Sequence, residues 1–324
     1  MAARPTTLQI RMVAALLGLL LVTAALLVGV WAVFYGVLSI LGVGSAIPIA
    51  VASTAVTLLS IGWLEYRQLE TIERLADAHP VDRGTAPDLY GIATRVAAQL
   101  DVPVPTIAIS DRDAPEALAV GFRPETVHLV LSLGTIDALD EQQLEAVVAH
   151  ELAHVRNRDT MVVTFVSLPV VLASGLRSRI ERVDDPGVAG VVILPLGILS
   201  NVVWVVGRTL TARFSRARER AADRAAAEAT GSPAALASAL ERLDREIADT
   251  PTSDLREASG VSSLSVLPLE PSELEKVMLG PEGDTEPSYW WLRKRLHRLE
   301  RYLFETHPPT ADRIEQLAAL ERDR

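Results

Sequence analysis

The sequence contains no cysteine among its 324 residues. Disulfide bonds and cysteine-ligated metal sites are therefore excluded, and any bound metal must be held by histidine, aspartate or glutamate. Lysine is almost absent too, since Lys276 and Lys294 are the two lysines and arginine carries the remaining positive charge. The net charge of −10 and the pI of about 5.2 argue against nucleic acid as a partner.

Charge is missing altogether from residues 12–64. A membrane-spanning helix needs about 20 apolar residues, so this stretch is long enough for two helices. Glycine and proline at 42–48 mark the turn between them. A cleaved signal peptide is disfavoured because the apolar region is too long and a second span follows at once. The sequence predicts an N-terminal transmembrane hairpin within residues 1–64.

Two further uncharged segments cover residues 160–176 and 186–207. The second is long enough to cross a bilayer, whereas the first fits a tilted span, a partly inserted helix or a buried core helix. The alternative for both is a buried helical hairpin in a soluble domain. With the N-terminal hairpin, these segments predict about four transmembrane helices in all.

The remaining chain has the pattern of a mainly helical α+β fold. Apolar residues recur at helical spacing over 64–78 and 89–100. Three short extended segments predict a small antiparallel sheet, at Thr106–Ser110, Ala117–Phe122 and Thr126–Leu131. Asp140 followed by Gln143 is a capping-box pattern, which predicts that a helix begins there.

This helix carries the motif His150-Glu151-Leu-Ala-His154. Histidines four residues apart on a helix project from one face and are close enough to share a metal ion. Glu151 lies beside the first histidine, where its carboxylate can reach a water molecule on the metal without binding the metal. In this arrangement zinc activates water and the glutamate accepts the proton. The alternative is two histidines on a surface helix.

A catalytic zinc ion usually takes a third protein ligand. His79 and His128 precede the motif and have no evident pairing with it. The alanine-rich helix predicted over 209–229 offers Glu219 and Asp223 on one face. One carboxylate could bind zinc while the other orients a ligand histidine through its ring N–H. The alternative is a surface helix with ordinary charged pairs. Two intervening spans would return this helix to the side of the membrane that holds the motif.

Three motifs follow one another along the chain. They are Ala149-His150-Glu151-Leu-Ala-His154-Val-Arg-Asn-Arg-Asp159, Ser215-Arg-Ala-Arg-Glu219-Arg-Ala-Ala-Asp223, and Thr306-His307-Pro-Pro-Thr310 with Arg313-Ile314. In this order they resemble the HtpX-like membrane zinc metalloproteases and related peptidases such as the CAAX prenyl proteases. The resemblance covers most of the chain, including the N-terminal hairpin. It implies a zincin-type fold of the gluzincin class.

The resemblance also implies a ligand set and roles for the neighbouring residues. One Zn²⁺ per chain would be held by His150, His154 and Glu219, with Glu151 as the general base and Asp223 orienting a ligand. His307 is a candidate for stabilising the oxyanion, with a structural role in its turn as the alternative. In these peptidases substrate lies along a strand that commonly reads Asn-Ala-x-Ala. The matching residues here are Ala117, Leu118 and Ala119, preceded by Glu116 in place of asparagine.

The predicted function is that of a membrane-anchored zinc endopeptidase. The resemblance implies protein substrates, mainly membrane proteins under quality control, and a catalytic domain facing the cytoplasm. The protease domain is expected in two parts, 65–159 and 208–324, separated by the second hairpin at 160–207. Charged residues on both sides of the motif disfavour a site inside the bilayer. The alternative function is a non-catalytic membrane scaffold or chaperone-like protein that retains the fold.

Overall fold

The computed structural model describes residues 5–69, 78–121, 124–185, 187–249 and 289–322. These residues divide into two compact units, one within 73–160 and 218–324, the other within 4–72 and 161–217. The predicted helical residues 70–77 and the predicted loop at 250–287 lie outside the described residues.

Ten helices and four strands make up the described part of the chain. The helices are α1 (Pro5–Ile40), α2 (Ala46–Leu69), α3 (Pro87–Leu100), α4 (Leu133–Ala138), α5 (Glu141–Arg156), α6 (Asp159–Ile180), α7 (Gly190–Thr230), α8 (Pro233–Asp249), α9 (Trp290–Phe304) and α10 (Thr310–Arg322). The strands are β1 (Ala78–Pro80), β2 (Thr106–Ser110), β3 (Ala117–Val120) and β4 (His128–Ser132), and short 3₁₀ turns occupy Pro124–Thr126 and Gly187–Ala189.

The unit within 4–72 and 161–217 consists of long apolar helices. In the described part of the chain, three helical segments are long and apolar enough to cross a membrane, namely Met12–Ile40, Ala46–Trp63 and Gly187–Thr230. These three segments roughly match the four predicted transmembrane helices. The predicted segment at 160–176, which lies in α6, is not among the three. Large aliphatic side chains such as Leu21 and Leu59 are 72% exposed. Apolar surface of this kind suits contact with lipid.

Helix α7 is longer than the sequence pattern suggested. The predicted span ending at Gly207 and the charged helix beginning at Thr209 form one continuous helix. A glycine within a helix is tolerated, and at this position small size is useful. A methyl group on Gly207 would come within 2.8 Å of Val170 Cγ2. Gly207 therefore allows close helix packing and does not end the helix.

The sheet corrects the prediction of an antiparallel arrangement. Its strand order is β1-β2-β4-β3. Strands β1 and β2, and likewise β3 and β4, are antiparallel, but β2 and β4 pair in parallel, with Thr106 opposite His128. The prediction assumed that neighbours in sequence pair with one another. Instead β4 lies between β2 and β3, because the chain from β2 makes a crossover long enough for parallel pairing. The sheet is therefore mixed, and β3 is an edge strand.

The sheet and its helices share one apolar core in the unit within 73–160 and 218–324. Buried residues come from α3, β2, β4, α5, α8 and the end of α7, among them Val96, Leu131 and Leu240. The capping box that starts α5 is confirmed. Gln143 N–H donates to Asp140 Oδ1 at 2.9 Å, and Asp140 N–H donates back to Gln143 Oε1 at 3.1 Å. This start fixes the register of α5 and therefore the face that carries its histidines.

Candidate metal centre and active site

The motif on α5 is buried in the core of its unit. His150 is fully buried, Glu151 is 2% exposed, and the side chain of His154 is 14% exposed. The Nε2 atoms of His150 and His154 are 3.2 Å apart. Their rings are nearly perpendicular, and the short distance between the two nitrogens would allow both to contact one ion. This is the arrangement that the four-residue spacing predicted.

Glu219 completes a cluster of three possible metal ligands. Its Oε2 lies 3.4 Å from His150 Nε2, and its Oε1 lies 3.5 Å from His154 Nε2. One ligand atom from each of the three residues lies within 4.8 Å of the others. Oε2 is buried and has no hydrogen-bond partner in the described part of the chain. Two imidazole nitrogens and one carboxylate oxygen suit zinc, which leaves a fourth position for water.

His150 is backed by an aspartate and an arginine. Its Nδ1 lies 3.0 Å from Asp223 Oδ1. The same carboxylate accepts two hydrogen bonds from Arg313, from Nε at 2.9 Å and from a terminal guanidinium nitrogen at 2.7 Å. Arg313 is completely buried. A bidentate contact of this kind fixes the carboxylate plane and hence the direction from which it meets the imidazole.

His154 has a corresponding pair, which sequence reasoning missed. Its Nδ1 lies 2.6 Å from Asp159 Oδ2. Arg218 lies 3.6 Å from the same aspartate oxygen and donates to Glu219 Oε1 at 3.1 Å. Asp159 can turn back because Arg158 adopts a left-handed conformation, with φ of 55°, between α5 and α6. The position of Asp159 at the start of a helix was the sequence signal that could have identified this residue.

The charges around the site balance a divalent cation. Four carboxylates are buried here, and two guanidinium groups accompany them: Glu151, Asp159, Glu219 and Asp223 with Arg218 and Arg313. In the protonation state that metal binding favours, with both histidines neutral and all four carboxylates ionised, two negative charges remain. Buried charge without compensation is costly, and an ion of charge +2 would remove the excess. The donor atoms and the net charge both fit a metal such as zinc.

The carboxylate of Glu151 is held against strand β3. Ala119 N–H donates to Glu151 Oε2 at 2.9 Å. Burial, with the nearby charge of Glu219, raises the pKa of Glu151 to about 8, although His150 and the Ala119 N–H oppose the shift. A divalent cation at the cluster would favour the ionised form. The contact with Ala119 therefore restrains the carboxylate of Glu151 beside the ligand cluster, where it could accept a proton from water.

The two histidines differ in proton affinity. Burial disfavours the charged form of His150, but Asp223 and Glu219 outweigh it and raise its pKa to about 9. Burial lowers the pKa of His154, although Glu219 and Asp159 act in the opposite direction. Because metal binding requires neutral imidazoles, the metal competes with protons at His150 more than at His154.

Strand β3 brings in the residues predicted to contact substrate. Leu118 is fully buried, whereas Ala119 is half-buried and contacts Glu151. Glu116, directly before the strand, is buried and pairs with Arg112 at 3.0 Å. Burial raises the pKa of Glu116, and the charge of Arg112 opposes the rise. The residue that replaces the expected asparagine is therefore engaged in an ion pair.

The backbone of Glu116 is held equally firmly. Its N–H donates to Ser132 Oγ at 2.8 Å, and its carbonyl accepts from Ser132 N–H and Thr135 Oγ1, both at 2.9 Å. Gly134 lies against the same segment, and a methyl group there would overlap the carbonyl oxygen of Asp113. Helix α4, which the sequence did not predict, therefore fixes the entry to β3.

His307 lies beside the cluster, in the turn between α9 and α10. Its Nδ1 is 3.7 Å from Glu219 Oε2, and its side chain is 3% exposed. Neither ring nitrogen has a hydrogen-bond partner among the described residues. A buried imidazole with unused polar atoms suits contact with a ligand. His79 and His128 lie on β1 and β4 and are not members of the ligand cluster.

This chain shares sequence with a known protein family and with known proteins. The family model for peptidase family M48 matches residues 84–321. "Protease HtpX homolog 1" of Streptomyces coelicolor is 36% identical over 228 residues, which cover 68% of this chain and 72% of that protein. A "Protease HtpX homolog" of Methylibium petroleiphilum is 30% identical over 317 residues, covering 94% and 99%.

A solved structure also aligns with the chain. The crystal structure of S. mikatae Ste24p matches with a TM-score of 0.44 and 16% identity. The alignment covers 79% of this chain, and the chain spans about half of that structure, 56%.

The family model covers most of the chain, and a relative at 30% identity aligns over nearly its entire length. The chain therefore belongs to peptidase family M48 and is an HtpX-like, membrane-associated metalloprotease.

Proposed function

We propose that this protein is a zinc endopeptidase in which His150, His154 and Glu219 bind one Zn²⁺ and Glu151 is the general base. The observation that carries the proposal is the convergence of the three ligand side chains, with ligand atoms within 4.8 Å of one another. The buried carboxylate of Glu151 adjoins this cluster on the same helix. The proposed chain organisation remains a hairpin at 1–64, a second hairpin at 160–207, and protease segments at 65–159 and 208–324.

The reaction is hydrolysis of a peptide bond. Zinc, when bound, acidifies a water molecule and polarises the scissile carbonyl. Glu151 accepts a proton from the attacking water and delivers it to the leaving amine. Asp223 and Asp159 hold His150 and His154 in the tautomers that direct their Nε2 atoms at the cluster. Arg313 holds Asp223 through two hydrogen bonds, and the charge of Arg218 lies 3.6 Å from Asp159.

Substrate backbone would add to the edge of the sheet. β3 pairs with β4 and with no other described strand, so an extended peptide can align along its outer edge. The contact between Ala119 N–H and Glu151 supports this position, because a peptide on β3 would lie beside the general base. Ala117, Leu118 and Ala119 are the proposed substrate-contacting residues. Main-chain pairing does not require the asparagine that Glu116 replaces.

His307 is proposed to stabilise the oxyanion of the tetrahedral intermediate. The Nδ1 atom of its buried ring lies 3.7 Å from Glu219 Oε2, and neither ring nitrogen has a hydrogen-bond partner among the described residues. A hydrogen-bond donor placed next to a metal site can stabilise negative charge that develops on the carbonyl oxygen.

The proposed substrates are membrane proteins or their exposed segments. The candidate spans would confine the protease to a bilayer, and the charges flanking the motif disfavour a site inside that bilayer. We place the catalytic unit on the cytoplasmic side and assign it to quality control of misfolded or damaged membrane proteins, as the resemblance to HtpX-like proteases implies.

The general base is tested by Glu151→Gln in the full chain. We expect about one zinc per chain, as in the wild type, and a fall in casein cleavage of about 10²- to 10⁴-fold. Glu125→Gln is the matched control, because Glu125 is an exposed glutamate in the same unit. Casein cleavage near the wild-type rate in Glu151→Gln would refute the assignment of the base.

A further inference from the structure

Helix α9 has a composition unlike the rest of this acidic chain. Within Trp290–Phe304 the sequence has five basic residues and a single acidic one, Glu300. Trp, Tyr, Phe and Leu occupy most of the remaining positions. Neither the metal site nor the proposed substrate strand uses this helix.

One face of α9 exposes large apolar side chains. Helical geometry places Leu292, Leu296 and Leu299 on this face, and they are 37%, 55% and 52% exposed. Trp291 and Tyr302 border the face and are 67% and 71% exposed. The opposite face is partly covered by protein, at Trp290, His297, Arg301 and Phe304. The helix therefore turns its apolar side outward.

Local signals stabilise this helix poorly in water. Its first turn contains no acidic residue, and Tyr289 at the N-cap makes no side-chain hydrogen bond to the backbone. Arg293 lies in the N-terminal half, at the end of the first turn, where positive charge opposes the helix dipole. A negatively charged surface beside this half would offset the repulsion. An apolar layer under the same surface would take up the exposed leucines.

We propose that α9 docks on the anionic headgroup layer of the bilayer that holds the candidate spans of this chain. Arg295 and Arg298, both exposed, would contact lipid phosphates, while the leucine face enters the acyl boundary. Trp291 and Tyr302 have the amphipathic rings that concentrate at membrane interfaces. The positive charge of α9 complements anionic headgroups, and its mixture of arginine with aromatic side chains is typical of membrane interfaces. An acidic protein would also complement the charge, but it would not need an apolar face of this width.

The absence of cysteine makes a direct test simple. Leu299→Cys in the full chain takes a single environment-sensitive fluorescent label on the apolar face. Val104→Cys is the control, because Val104 is an exposed aliphatic residue in a loop of the same unit. Both proteins are placed in nanodiscs of phosphatidylcholine, with or without phosphatidylglycerol, and quenching by a lipid-borne quencher is measured.

The proposal predicts that the label at position 299 is quenched from the lipid phase in anionic nanodiscs and much less in zwitterionic ones. The label at position 104 should stay in water in both. Adding Arg295→Gln and Arg298→Gln to the Leu299→Cys chain should lower the ratio of docked to undocked helix roughly fivefold per arginine. Casein cleavage by each variant verifies that the protease unit is folded.

Two results would overturn the proposal. In the first, the label at position 299 reports water in both kinds of nanodisc. In the second, the label is shielded equally in both and also in detergent, which would mean that protein covers the leucine face.

Discussion

Two parallel chains of contacts converge on the ligand cluster at the level of single residues. Asp223 contacts His150 and receives two hydrogen bonds from Arg313, while Asp159 contacts His154 and lies near Arg218. Each arrangement can restrict one imidazole to one orientation. We expect their loss to weaken metal binding before it alters the fold.

Arg313→Gln is predicted to lower zinc affinity roughly 10- to 100-fold. The aspartate would lose the bidentate partner that fixes its plane, and His150 would lose its preferred orientation. Competition with a fluorescent chelator measures the affinity. Arg313→Lys keeps the charge but not the paired geometry, so it should also bind zinc more weakly than the wild type.

Arg112→Gln is the matched control for this prediction. Arg112 also pairs with a buried carboxylate, that of Glu116, but at the entry to β3 and outside the ligand cluster. The Arg112→Gln substitution should lower the melting temperature while zinc affinity stays at the wild-type value. A rise in zinc affinity in Arg313→Gln would show that lost positive charge outweighs lost orientation, contrary to this account.

His307→Ala separates the two roles considered for that histidine. As an oxyanion donor, its loss should lower kcat by about 10²- to 10³-fold with zinc content and melting temperature nearly unchanged. Steady-state cleavage of a quenched peptide measures kcat. A large fall in melting temperature with kcat of the folded fraction preserved would instead assign His307 to the structure of its turn.

At the level of elements, β3 depends on helix α4 for its position. Gly134→Ala would force a methyl group into the backbone at Asp113, just before β3. We predict a loss of about 1–3 kcal/mol in the free energy of unfolding. Because the displaced strand carries the Ala119 N–H that holds Glu151, kcat/KM should fall while zinc content does not.

Gly91→Ala provides a control that is expected to change the free energy of unfolding in the opposite direction. Gly91 lies within α3, and a methyl group there would meet only the far end of Arg95, at 3.9 Å. Removing a helical glycine should raise the free energy of unfolding by about 0.5–1 kcal/mol and leave kcat/KM unchanged. Equal stability changes in the two variants, measured by urea unfolding, would contradict the role assigned to α4.

The sequence was sufficient where a feature depends on residues close together in the chain. Asp140 and Gln143 predicted the start of α5, and Thr106–Ser110 is a strand with the predicted bounds.

The sequence was insufficient where the interacting residues are far apart in the chain. The parallel pairing of β2 with β4 required β4 to lie between β2 and β3. The contact of Arg313 with Asp223 joins residues 90 positions apart. The contact of Asp159 with His154 required the left-handed turn at Arg158. The assigned roles of the site residues stay predictions.

For the molecule as a whole, stability should depend on the metal. In the protonation state that binds zinc, the buried site has two excess negative charges. Without zinc, this charge must be offset by protons on buried groups, at an electrostatic cost within the protease unit. At a free zinc concentration of about 1,000 times Kd, binding contributes roughly 4 kcal/mol. Chelation should therefore lower the melting temperature, and added zinc should restore it. His150→Ala should melt at the same temperature with and without chelator, and a zinc-dependent shift in that variant would contradict the assigned site.

The most direct test of the central claim is an anomalous difference map from crystals of the purified protein, recorded at the zinc absorption edge. The account predicts one peak per chain, about 2 Å from the Nε2 atoms of His150 and His154 and from a carboxylate oxygen of Glu219. A peak held by other residues, or none in crystals of active protease, would contradict it.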